Sequence, residues 1–295
     1  MKLNERKVLI TGASSGLGQE IAKILINKYN CQVLGVARNE QKLIQFKNDL
    51  GEKSQNFDYY IMDVSIEENW HKLHQKLTEE SRVIEILINN AGIMLPFKSA
   101  DKTETSEVER VMKINYFSVV YACKTFIPML IGQKNPAIIN IGSLASLCCL
   151  PGVAGYSASK AALKSYSEAL SVELGKNIFV STVMPGFVRT NLMSGAIAEG
   201  EEKIINKVAR PAPKVARIIV RKMKHNCRRM ILGADAKAMF LFYRYFPRSS
   251  GRVAGSFLRL TKIKTLQNIY TDKNDYCEAT SLIDKQKCGK GEADD

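Results

Sequence analysis

The sequence predicts an α/β protein: about seven strands in one doubly wound parallel sheet, helices on both faces, and a basic helical extension at the C-terminus. Three observations predict it. Short apolar β-branched runs alternate with helix-length amphipathic stretches along residues 7–232. Each interval between runs is long enough for a crossover helix, which parallel pairing requires. A glycine-rich turn follows the first run and opens the first helical stretch.

KVLIT, residues 7–11, reads as a buried strand, and the helical stretch 17–29 follows its glycine turn. QVLGVA, 32–37, is the second strand, trailed by a helix-like 39–50. A strand at 57–62, a helix over 66–80 and the strand VIEILIN at 83–89 come next. A long helical region spans 104–131 and precedes the strand AIINIGS, 137–143. GYSASKAALKSYSEAL, 155–170, is rich in Ala, Leu, Lys and Glu and free of Pro, so it reads as a helix. NIFVSTVMP, 177–185, is a strand; Pro211 and Pro213 open another helix, and RRMIL, 228–232, is the last strand. The expected units are a core domain over 1–235, a basic, aromatic helical extension over 236–270 and a mobile polar tail over 271–295.

Composition narrows the function classes. Three His and seven Cys without a C-x-x-C spacing argue against a zinc site or a disulfide framework. Taken as reduced thiols, those Cys suit a cytoplasmic chain, and Met1 to Glu5 leads into the first strand without a signal-peptide pattern. No uninterrupted apolar run approaches the roughly 18 residues that span a bilayer. The net charge of +14 is localised: between residues 203 and 264 Asp235 is the sole acid in a stretch dense in Lys and Arg.

TGASSGLG, 11–18, lies between a strand and a helix, the context that turns a glycine pattern into a phosphate site. Gly12 permits a tight turn, Gly16 lets the backbone approach a pyrophosphate, and Gly18 lets the helix pack on the sheet. Ser14, Ser15 and Leu17 complete the turn. The helix N-terminus adds free N–H groups and a positive dipole end. Twenty residues beyond Gly18, a site for NAD presents an acid to the ribose hydroxyls. Positions 36–38 hold none; Arg38 is suited instead to a 2′-phosphate, which argues for NADP(H).

Tyr156 stands four residues before Lys160, so a phenol and an ammonium share one helix face. Ser143 ends the strand AIINIGS, and Asn115 lies in the long helical region. TGASSGLG, NNAG at 89–92, IGS with YSASK, and PGFVRT at 185–190 occur together in an order that resembles the short-chain dehydrogenase/reductase family, over about residues 5–235. The resemblance implies a Rossmann-like fold and a catalytic tetrad of Asn115, Ser143, Tyr156 and Lys160. In it Tyr156 moves a proton, Lys160 lowers the phenol pKa and holds the nicotinamide ribose, Ser143 holds the substrate oxygen, and Asn115 orders the water that leads protons to Lys160. It also implies that Asp63 and Val64 flank the adenine. Asn89, Asn90, Ala91 and Gly92 would shape the cofactor trough; Pro185, Gly186, Val188 and Thr190 would meet the nicotinamide end. One departure stands out. Ser15 occupies the place where some NADPH-preferring relatives carry a basic residue, so preference rests on Arg38. Tyr166 has no Lys four residues on and reads as packing, while Cys148 and Cys149 are expected to line the substrate side as small apolar groups.

The expected function is an NADP(H)-dependent oxidoreductase that interconverts a ketone and a secondary alcohol on a hydrophobic, lipid-like substrate. The alternative is a low-turnover NADP(H)-binding redox sensor or membrane scaffold on the same fold, against which an intact tetrad argues. Leu192, Met193 and Ile197 would form the apolar underside of a flap over the substrate. Residues 236–264 set Met239, Phe240, Leu241, Phe242, Tyr243, Tyr245, Phe246, Val253, Phe257 and Leu260 among Arg and Lys. That mixture suits an interfacial helix on anionic lipid, making the chain peripheral to a membrane. A C-terminal helix pair covering the cleft is the competing reading. The basic charge would also attract nucleic-acid phosphates, but no base-reading motif accompanies it. The long helices 104–131 and 156–174 are the candidate faces of a homodimer or homotetramer.

Overall fold

The computed structural model describes residues 1–190, 192 and 209–260. Its central sheet has seven strands, all parallel, in the order β3-β2-β1-β4-β5-β6-β9. They are β1 (Lys7–Thr11), β2 (Gln32–Ala37), β3 (Phe57–Ile61), β4 (Ile86–Asn89), β5 (Ala137–Ile141), β6 (Phe179–Pro185) and β9 (Arg229–Leu232). A two-residue pair, β7 (Val188–Arg189) with β8 (Arg210–Pro211), lies outside that sheet and was not foreseen from the sequence. β4 and β5 are buried along their whole length, as strands covered on both faces must be.

Helices cover both faces. On one side α1 (Gly16–Tyr29), α2 (Glu40–Asp49) and α7 (Ala212–Lys224) bury Ile21, Leu25, Phe46, Ile219 and Met223 against the sheet. On the other, α3 (Glu67–Glu79), α5 (Ser118–Ile131) and α6 (Ala154–Glu173) bury Trp70, Leu73, Phe126, Leu163 and Leu170. The order reverses at β1, whose neighbours are β2 and β4. In an open α/β sheet, that reversal opens a crevice at the carboxyl ends of the strands.

Element edges differ from the expected ones for local reasons. β5 stops at Ile141, because Gly142 and Ser143 turn into a short 3₁₀ segment, Leu144–Ser146, capped by the Ser143 side chain. The long helical region begins as α4 (Thr105–Met112) and passes through a π-turn, Lys113–Phe117, before α5. By length and composition the run Thr105–Ile131 could cross a bilayer, an 18-residue window of it having a mean hydropathy of 1.4. It is placed as a core helix, however: Val119, Ala122, Cys123, Phe126 and Leu130 are buried against the sheet and α3. After β9 come α8 (Ala234–Tyr245) and α9 (Pro247–Leu260). Met193, Ile197, the side chains of Phe257 and Leu260, and the tail 271–295 lie outside the described residues.

Candidate active site

The crevice is a cleft of about 360 Å³ running across the ends of β1, β4, β5 and β6. Its floor at one end is the glycine turn. Gly12 and Gly16 adopt φ values of +68° and +59°, conformations that side-chain-bearing residues rarely take. A Cβ on Gly12 would also press on Asn90 and Ala91. Ser15 occupies the N-cap of α1 without using its hydroxyl there, and the first turn of α1 contains no acid. The positive end of a 14-residue helix is therefore uncompensated where it meets the cleft, and the turn fits a phosphate.

Ser14, Ser15 and Leu17 line this end with Gly12 and Gly16. Gly18 does not; it packs against the carbonyl of Gly12 and the Asn90 amide, which is where a helix must come close to the sheet. The NNAG segment divides likewise. Ala91 and Gly92 line the cleft, and Asn90 does too while its Nδ2 donates to Thr11 O at 2.9 Å. Asn89 faces away: it is 3 % exposed and its Nδ2 donates to Asn140 Oδ1 at 2.8 Å, beneath the cleft. Asn89 thus braces β4 on β5 and, unlike the expectation, has no access to a ligand.

Arg38, Asp63 and Val64 line the same end. The Arg38 guanidinium is 62 % exposed and stands 3.8 Å from Asp63 Oδ2, a loose pair that leaves its donors largely uncommitted. Partial burial raises the Asp63 carboxyl, but hydrogen bonds from Ser65 and the positive charges of Arg38 and Arg110 outweigh it and hold it below the usual range.

The other end holds the reactive groups. Ser143, Tyr156 and Lys160 line the cleft together. Tyr156 and Lys160 sit a turn apart on α6 and are each 4 % exposed. Ser143 Oγ accepts from Ala145 N at 3.2 Å and stands beside the Tyr156 phenol in the cleft lining. Lys160 Nζ donates to Ile141 O at 3.1 Å, and among the described residues no carboxylate pairs with it. Burial therefore pulls its pKa down to about 8. Burial also raises the Tyr156 phenol, and the neighbouring Ser143 hydroxyl offsets only part of that. This reverses the expected direction. A desolvated phenol resists ionising, and the ammonium meant to favour the phenolate is turned to a carbonyl and weakened by the same burial.

Asn115 lies within the π-turn and is fully buried. Its Oδ1 accepts from Ile93 N at 2.8 Å, while Nδ2 donates to Ile93 O at 3.0 Å and Ser159 Oγ at 3.0 Å. Both amide hydrogens are committed, so the side chain clips the cleft wall to α6. A Cβ on Gly92 would lie 3.1 Å from Asn115 Oδ1 and 3.4 Å from Lys160 Nζ, so both side chains converge on that glycine.

The third wall is the loop after β6. Pro185, Gly186, Val188 and Thr190 line the cleft, and Thr190 packs against Gly16 across it. Sequence reasoning missed Met94, Leu150 and Phe187, which line the cleft with Ile93, Leu144 and Leu192 and make its reactive end apolar. Cys148 is buried under α8 with Leu144 and Ala236, and Cys149 is exposed; neither lines the cleft, because the loop turns Leu150 inward instead. Tyr166 packs as expected, edge-on to Tyr116.

Residues 6–201 match the family model described as short chain dehydrogenase. A 3-oxoacyl-acyl-carrier-protein reductase of Buchnera aphidicola is 32 % identical over 213 residues, covering 70 % of this chain and 84 % of that protein. A short-chain dehydrogenase/reductase of Burkholderia phymatum, solved in complex with NAD, superimposes with a TM-score of 0.74 at 21 % identity, over 84 % of this chain and 95 % of the other. An alcohol dehydrogenase of the archaeon Thermococcus sibiricus, complexed with 5-hydroxy-NADP, gives a TM-score of 0.66 at 22 % identity, over 74 % and 90 %. With two thirds of its length inside the family model, and with 84 % of the Buchnera reductase covered at 32 % identity, the chain belongs to the short-chain dehydrogenase/reductase family.

Proposed function

We propose that this chain reduces a ketone on a hydrophobic molecule to a secondary alcohol with NADPH, the reverse oxidation being open to the same site. The observation that carries the reading is one cleft with Arg38 and the α1 N-terminus at one end and Ser143, Tyr156 and Lys160 at the other. The hydride for the carbonyl carbon would come from bound NADPH. The glycine turn and α1 take the pyrophosphate, Arg38 the 2′-phosphate, and Asp63 and Val64 flank the adenine. Ser143 Oγ holds the substrate oxygen, and Tyr156 gives it a proton. A phenol raised by burial is fully protonated at neutral pH, which suits this direction. Lys160, a turn away and near pKa 8, is acidic enough to return a proton to the phenolate and basic enough to be charged at pH 7. Asn115 fixes the wall against which these groups work. Met94, Leu150 and Phe187 favour a substrate with an apolar body, and the reductase from Buchnera acts, by its name, on an acyl chain.

The test is NADPH oxidation over ketones of increasing chain length, with NADH in parallel. Rates should rise with chain length and favour NADPH; a lack of turnover on every ketone despite tight NADPH binding would sink the enzymatic reading. In the same assay Arg38→Ala should raise KM for NADPH about 10–100-fold and leave NADH within about twofold. Equal effects on both cofactors would remove Arg38 from the 2′-phosphate.

The C-terminal helices support a peripheral site on the cytoplasmic face of a membrane. Leu241, Tyr245, Phe246 and Val253 are exposed alongside Lys237, Arg244, Arg248 and Arg252. Apolar and aromatic groups among cations suit the headgroup boundary of anionic lipid. Vesicles of phosphatidylserine should retain the protein, those of phosphatidylcholine should not, and retention should weaken as salt rises from about 0.05 to 0.5 M. Indifference to lipid charge and salt would return these helices to an internal packing role.

A further inference from the structure

The loop that walls the nicotinamide end of the cleft is held from a distance. Gly186 N donates to Leu232 O at 2.8 Å, which ties the loop to the end of β9. Arg210 N donates to Phe187 O at 2.9 Å, which ties it to β8. The Phe187 N–H has a different kind of partner: it donates to Asp235 Oδ2 at 2.9 Å, a carboxylate 48 residues further along the chain. Asp235 is the second residue of α8 and the sole acid between residues 203 and 264. Its carboxylate fits between two glycines. A Cβ on Gly186 or on Gly233 would collide with it, and Gly233 takes φ +116° as the chain turns from β9 into α8. An acid in the first turn of a helix is often no more than a dipole partner. Here two glycines make room for it, and its oxygen reaches across to a main-chain donor in the cleft wall.

We propose that Asp235 is a positioning residue that sets the Pro185–Thr190 wall at the height where the nicotinamide half of the cofactor enters the cleft. It touches neither cofactor nor substrate and acts through the Phe187 N–H and the backbone of Gly186. The inference rests on the cofactor reading above. The start of α8 is thereby pinned to the cleft wall, and Met239, one turn on, packs against the cluster of Leu144, Cys148 and Ala236 behind the cleft.

The test compares two ligands, NADPH and 2′-phospho-ADP-ribose, which ends where the nicotinamide begins, by titration calorimetry on the full chain. Asp235→Ala should weaken NADPH about tenfold and leave the fragment within about twofold. Asp235→Asn, which keeps an acceptor oxygen in nearly the same shape, should recover most of the lost affinity. The proposal is overturned if the Ala variant weakens both ligands alike, a sign of general loosening, or neither. It is also overturned if the Asn variant binds NADPH as poorly as the Ala variant. Wild-type protein that binds neither ligand would sink the cofactor reading itself, a result distinct from each of these.

Discussion

Tyr156→Phe should lower kcat by about 10³–10⁴-fold while changing the NADPH dissociation constant by less than about threefold. The substitution removes one oxygen from a side chain that is 4 % exposed and packed among Leu95, Val111, Ala145 and Val153. The ring keeps those contacts, so the fold and the cleft wall should be unchanged. What is lost is the phenol hydroxyl that the proposed reduction uses to protonate the substrate oxygen. The Ser143 hydroxyl keeps its contact with Ala145 N, so its rotamer should hold. Stopped-flow reduction and NADPH fluorescence titration on the same preparation separate chemistry from binding. A kcat within about tenfold of wild type would mean that water or another group supplies the proton, and the assignment of Tyr156 would fall.

The fold was legible because its signals are local and repeated. Each buried strand is an apolar run, each crossover a helix-length interval, and the phosphate turn needs glycine where φ is positive. The site was legible where one element carries two groups, as α6 carries Tyr156 and Lys160 at a fixed four-residue spacing. It was less so where the answer depends on which way a side chain points. Asn89 and Asn90 are adjacent, yet one faces the Asn140 amide below and the other the glycine turn above; strand pleating separates them, and the motif alone does not give its phase. Asn115 was named only through the family resemblance; that it lies in a π-turn and commits its amide to Ile93 and Ser159 needed the structure. Asp235 was seen only as the odd acid in a basic stretch; its contact with Phe187 crosses 48 residues, and nothing periodic announces it. The direction of the Tyr156 shift needed burial as well as sequence spacing, since burial is its largest cause and spacing does not show burial.

Lys160→Met should abolish reduction and, in the protein without cofactor, raise stability at pH 7 by about 1–2 kcal/mol. Lys160 is 4 % exposed, with a carbonyl as its hydrogen-bond partner and no carboxylate pairing with it among the described residues. A charge in that position costs folding energy, which is why its pKa falls from 10.5 to about 8. Met fills a similar volume without the charge. It also strands the Ile141 carbonyl, which takes back part of the gain and keeps the net figure small. The pH dependence follows from the depressed value. Below about 8 the folded and unfolded chains both hold the proton, and the full cost of the buried charge is present. Between about 8 and 10.5 the folded chain has lost the proton and the unfolded chain still binds it, so this group's contribution to stability improves as pH rises. The advantage of the Met variant should therefore be constant below pH 8 and shrink from there toward pH 10. Reduction by the wild-type enzyme should show the opposite face of the same titration, level at neutral pH and falling through about 8 as the ammonium that reprotonates Tyr156 disappears. Urea unfolding of both proteins across this range measures the first trend, and the pH profile of kcat the second. A Met variant less stable than wild type at pH 7 would mean that the ammonium is solvated and not buried. The activity profile would then have to be assigned to another group.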